Sequence, residues 1–82
     1  RKLREILLKM ARLRYDRVGD IAHWYQKAVW LGEEAAALRL AEQGLARKPD
    51  DPYWAEQVYL FAGRLGRDAL RKRALAVLLA SG

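Results

Sequence analysis

The sequence predicts an all-α protein built of antiparallel helix pairs, about five helices in all. Three observations carry that reading. The apolar 52% of the 82 residues is mostly Leu and Ala, strong helix formers, and β-branched residues are few. Apolar positions recur at i, i+3, i+4 and i+7 along successive stretches. Finally, Trp30-Leu31-Gly32-Glu33 returns as Arg64-Leu65-Gly66-Arg67, which sets two glycines 34 residues apart. That is a known period for helix–turn–helix repeat units.

The elements follow in order. The first helix carries Leu3, Ile6, Leu7, Met10 and Leu13 as its apolar stripe. The second places Ile21, Trp24, Tyr25 and Ala28 on one face and ends near Leu31, where Gly32 is free to take positive φ. Glu33 and Glu34 open the third helix, where acidic groups suit the helix dipole. Its inner face runs Ala37, Leu38, Ala41, Gly44 and Leu45, and Pro49 ends it. Asp50 or Asp51 caps the fourth helix, with Pro52 as its first residue. That helix presents Ala55, Val58, Tyr59, Ala62 and Leu65 and stops at Gly66. The last helix, from about Arg67, turns Leu70, Ala74, Val77 and Leu78 inward.

Residues 1–17 thus read as half a repeat, 18–51 as one repeat and 52–82 as another, all within a single domain. Such units bury their faces only against neighbours, and about three are needed for stability. With Arg1 in place of Met at the start, the expectation is a piece of a longer protein, or a module completed by a partner.

The stretch from Asp20 to Gly82 resembles tetratricopeptide repeats. The residues that carry the likeness are Leu31-Gly32 before the turn, Ala37 at the helix crossing, Leu45-Ala46-Arg47-Lys48-Pro49 closing the unit, and the junction Pro49-Asp50-Asp51-Pro52-Tyr53-Trp54. The resemblance implies helix pairs stacked as a right-handed solenoid whose first helices line a concave groove. The sequence departs from the pattern at Gly44, where alanine is usual, at Tyr25, where a small residue is favoured, and at Arg71 on the crossing position of the second unit. Arg71 predicts a loosely packed last pair. Pro49 to Leu79, with Gly63-Arg64-Leu65-Gly66-Arg67-Asp68-Ala69-Leu70, is also similar to the helical domain of bacterial transcriptional activators, itself of tetratricopeptide type.

Composition and motifs point away from catalysis. There is no cysteine, which removes disulfides and thiolate chemistry. Ser81 is the one hydroxyl besides four tyrosines, and His23 has no second His or Cys to share a metal with. No glycine-rich phosphate loop occurs. Glu33 and Glu34 are adjacent, so a helix sends them different ways. Neither an enzyme nor a cofactor is expected. No apolar run approaches the roughly 18 residues of a membrane span, and a cytoplasmic location is the expectation. The absence of Asn and Thr, with eleven Arg against five Lys, fits a heat-tolerant source and equally a GC-rich genome.

Two surfaces stand out. Most aromatics fall at core spacing, but Trp30 and Tyr53 do not. By position in the family, the concave face maps to Gly19, Ala22, His23, Gln26, Val29 and Trp30, then Tyr53, Glu56, Gln57, Leu60 and Arg64. Mixed polar and aromatic side chains suit a partner peptide or helix. His23 reads first as a solvated surface residue, and a neighbouring repeat would cover the same face. Secondly, the net charge of +6 is uneven: residues 1–17 hold seven Lys/Arg against two acids. Arg1, Lys2, Arg4, Lys9, Arg12, Arg14 and Arg17 flank the apolar stripe of the first helix. Such a helix suits an acidic partner, nucleic acid or an anionic membrane surface, or is a plain solvated face. Only Tyr15 interleaves with these charges, which argues against base stacking. The first helix could also dock in a homo-oligomer as the missing half of a repeat.

The sequence therefore points first to a scaffold that binds another protein or peptide, with the basic helix steering acidic partners. The alternative is the regulatory helical domain of a transcriptional activator or nucleic-acid-associated protein.

Overall fold

A computed structural model describes residues 2–81 as five α-helices: α1 (Lys2–Arg12), α2 (Val18–Leu31), α3 (Glu34–Arg47), α4 (Pro52–Arg64) and α5 (Asp68–Ser81). No strand occurs among the described residues. Helix α3 is central and packs against α1, α2 and α4, whereas α5 packs against α4 alone.

The two glycine turns are local copies of each other. Gly32 and Gly66 take φ of +74° and +72°, the left-handed region that a side chain makes costly. Each reverses the chain by the same pair of backbone bonds. Glu33 N–H donates to Ala28 C=O at 2.9 Å and Arg67 N–H to Ala62 C=O at 2.8 Å. Gly32 N–H donates to Val29 C=O and Gly66 N–H to Gly63 C=O. These bonds satisfy carbonyls that a helix end otherwise leaves open. With so short a link between packed helices, α2 and α3 form one antiparallel pair and α4 and α5 another. Between the pairs the cap of α4 is Asp51, not Asp50. The Asp51 carboxylate accepts from Tyr53 N–H at 2.9 Å, and Pro52 follows at the first helical position.

Aromatic residues from α2 and α4 meet over a glycine. Trp54 and Tyr25 are each 2% exposed, and their rings meet edge to face at 5.4 Å. Phe61 also meets the Tyr25 ring edge to face, at 6.2 Å. Gly44 of α3 leaves the space they need. A methyl group there would stand 2.5 and 2.6 Å from Cε2 and Cε3 of Trp54. The departures at Tyr25 and Gly44 are thus two parts of one arrangement, with bulk from α2 and α4 fitted against a bare stretch of α3 backbone.

Arg71 does not hold the last pair apart. It turns out of the interface and lies over the Tyr59 ring, 4.9 Å from its centre, donating to the Tyr59 hydroxyl at 3.0 Å. Its stem passes beside Gly63, where an added Cβ would make ordinary van der Waals contact with it. The arginine does not wedge the pair open, because Tyr59 of α4 receives its guanidinium at the edge of the interface.

The outer helices bury less than their patterns promise. In α1 only Leu7 and Ala11 are buried, and Leu3 and Ile6 are exposed, as is Leu13 just past its end, because no helix lies on the far side of α1. In α5 only Ala74 is buried, while Leu75 and Leu79 are exposed. Helix α1 also ends at Arg12, so Arg14 and Arg17 sit in the link to α2 and not on the helix flank. Hydrogen bonds from α3 hold that link. The Gln43 amide donates to Leu13 C=O at 2.7 Å and its oxygen accepts from Tyr15 N–H at 3.2 Å. The Tyr15 hydroxyl then donates to Met10 C=O at 2.7 Å. Backbone groups that would have extended α1 are satisfied from outside it, and the helix stops.

Candidate partner-docking face

Helices α2 and α4 present the residues singled out above. On α2, His23, Gln26, Val29 and Trp30 are exposed, as is Gly19, with Ala22 half-buried. On α4, Tyr53, Glu56, Leu60 and Arg64 are exposed and Gln57 is half-buried. The two rows are tied together from below. The buried Tyr25 sends its hydroxyl from α2 to the Gln57 oxygen on α4, so Gln57 is fixed in place. Burial, and secondarily the neighbouring Tyr53, raises the Tyr25 phenol well above its ordinary pKa. It stays a neutral donor at any physiological pH.

The apolar part of this face is substantial. Trp30 is 78% exposed, Leu60 48%, Val29 43% and Tyr53 42%. Tyr53 is braced edge-on against Trp54 at 5.1 Å, and His23 likewise against Trp24. Arg64 is engaged by Glu34 at 2.5 Å, while the adjacent Glu33 reaches the opposite way to Arg4 of α1 at 2.5 Å. The two glutamates thus link the α2–α3 turn to the helices on either side. Exposed pairs of this kind add little stability but fix directions.

The basic patch is distributed differently from its sequence pattern. Lys2, Arg4, Lys9 and Arg12 are exposed on α1, Arg14 and Arg17 on the link, and Arg1 lies outside the described residues. Arg4 is neutralised by Glu33.

Two open clefts lie away from the α2–α4 face. One runs between α3 and α5, lined by Leu45, Ala46, Val58, Leu70 and Val77 with Glu42 and Arg73 at its edge. The other lies between α1, α3 and the α4–α5 turn, lined by Leu8, Ala36 and Leu38 with Arg12, Arg39 and Arg67 around them. The sequence reading did not find these clefts. A tally of charge by segment hides Arg39 and Arg67, since they converge with Arg12 only after folding. The unbroken apolar run Ala74–Ala80 was the available sign that α5 keeps apolar surface outside its packed face.

Among the described residues no set of three or more His, Cys, Asp or Glu is placed to hold a metal ion, and no helix is long and apolar enough to cross a membrane. Set beside known proteins, the chain matches no family model, no curated sequence and no solved structure.

Proposed function

We propose that this chain is a protein–protein interaction scaffold of stacked, tetratricopeptide-like helix pairs, which holds a partner peptide or helix on its α2–α4 face. The observation that carries the reading is the exposure of Val29 and Trp30 on α2 and of Tyr53 and Leu60 on α4. Large apolar side chains left in water, aromatic anchors among them, are costly and favour interaction sites. Polar Gln26, Glu56 and Gln57 lie among the anchors and offer directional hydrogen bonds. The matching turns at Gly32 and Gly66 support the solenoid, since equal turns repeat the same helix-pair geometry.

The test is the pair of substitutions Gln26→Ala and Trp30→Ala. Both side chains are exposed, so thermal unfolding followed by circular dichroism stays within about 0.5 kcal/mol of the parent. Capture of the partner from a lysate is lost. Capture unchanged by the double substitution would remove the α2–α4 face from the account.

A further inference from the structure

We infer that the cleft between α1, α3 and the α4–α5 turn is a second docking site, which takes an acidic polypeptide segment carrying an apolar anchor residue. It goes beyond the α2–α4 reading, because it uses other helices and other chemistry.

The argument begins with charge. Arg12 at the end of α1, Arg39 in α3 and Arg67 beside α5 line one cleft, and all three are exposed. Among the described residues none of them forms an ion pair or a side-chain hydrogen bond. Glu33 is engaged by Arg4, Glu34 by Arg64 and Asp16 by Arg47, and Asp68, which follows Arg67 in the chain, does not line the cleft. Glu42 is the one acid in the lining, and it pairs with none of the three. Arg12 suits the negative end of α1, but Arg67 immediately precedes the first turn of α5, the positive end of a helix, where a cation is disfavoured. Three like charges gathered on one concave surface produce a focused positive potential that favours an anionic guest.

The lining decides between anionic guests. Leu8, Ala35, Ala46 and Leu65 are apolar and keep surface in the cleft, and no aromatic residue lines it. A nucleic acid would be served by phosphate contacts and stacking aromatics and would gain nothing from that floor. A polypeptide with carboxylates on either side of a Leu, Ile or Phe uses both features at once: the side chain covers the floor and the carboxylates take the guanidinium forks.

The experiment uses the whole chain and a fluorescein-labelled acidic peptide of about a dozen residues with a central Leu pair, followed by fluorescence anisotropy. The expected result is saturable binding that weakens at least tenfold with Arg39→Glu, weakens likewise when the Leu pair is replaced by Ser, and is unaltered by Trp30→Ala. Arg67→Gln, at an exposed site, gives a smaller loss of the same sign and guards against a folding defect in the first variant. The proposal is overturned by absent binding, by equal binding of the Leu-free peptide, by indifference to Arg39→Glu, or by duplex DNA binding the cleft more tightly with the same Arg39 dependence. Loss of binding with Trp30→Ala would also overturn it, by placing the peptide on the α2–α4 face.

Discussion

Gly44→Ala is a substitution that ordinary helix propensity would judge favourable and this packing makes harmful. An alanine inside a helix is more stable than a glycine by about 0.5–1 kcal/mol. Here the added methyl would meet the Trp54 ring at 2.5–2.6 Å, well inside contact distance. Trp54 cannot withdraw easily: it is 2% exposed and held edge-on by both Tyr25 and Tyr53. At so short an approach the cost falls in the upper half of the usual range for forcing extra volume into a filled core, about 2–3 kcal/mol, which leaves a net loss of about 1–2 kcal/mol. In a domain of this size that lowers Tm by about 5–15 °C. Urea and thermal unfolding by circular dichroism measure it. Gly19→Ala is the matched control, since that helical position has nothing within 4 Å, and it is neutral or stabilising by up to about 1 kcal/mol. Adding Trp54→Leu to Gly44→Ala removes the clash, so the two substitutions together cost less than their sum by at least about 1 kcal/mol. A Gly44→Ala protein as stable as the Gly19→Ala protein would refute the packing argument.

The remaining predictions concern the turns, the link and the buried phenol. Gly32→Ala and Gly66→Ala each cost about 1–2 kcal/mol, because both residues have positive φ; unchanged melting would contradict the left-handed turns. Gln43→Ala costs about 1–2 kcal/mol and loses amide protection at Tyr15, as read by hydrogen exchange, because one side chain satisfies both sides of the link. Tyr25→Phe removes the bond to Gln57 and lowers stability at neutral pH. The folded Tyr25 pKa is raised above its ordinary value of 10.0, chiefly by burial. Above about pH 10 the unfolded chain therefore holds fewer protons than the folded one, and stability falls as pH rises. The gap between parent and Tyr25→Phe in urea midpoint narrows from pH 9 to about 11; a constant gap would mean that Tyr25 titrates normally in the folded state.

The helix pairs were legible because their signals are local. Apolar spacing, Gly32, Gly66, Pro49 and Pro52 mark where helices run and stop, and each works through its own backbone. The end of α1 was not legible, since it is set by Gln43, roughly 30 residues away in the chain. Periodicity carried the basic row through to Arg17 because nothing local interrupts it. The outcome at Arg71 was hidden for a similar reason: the side chain has a choice of direction, and its partner Tyr59 lies on the other helix of the pair. Trp30 and Tyr53 lie off the core spacing, and it is the resemblance to tetratricopeptide repeats that groups them with other residues of α2 and α4 as a candidate face. The arginine cleft joins three separate segments and no pattern within one segment reveals it.

The most direct test of the scaffold account is a hydrogen-exchange footprint of a partner captured from nuclease-treated lysate of the source cell. The account predicts a discrete protein that survives nuclease and protects amides in α2 and α4, with protection lost on Trp30→Ala. Capture that vanishes with nuclease, or protection confined to residues 2–17, would contradict it and move the function to the basic end of the chain.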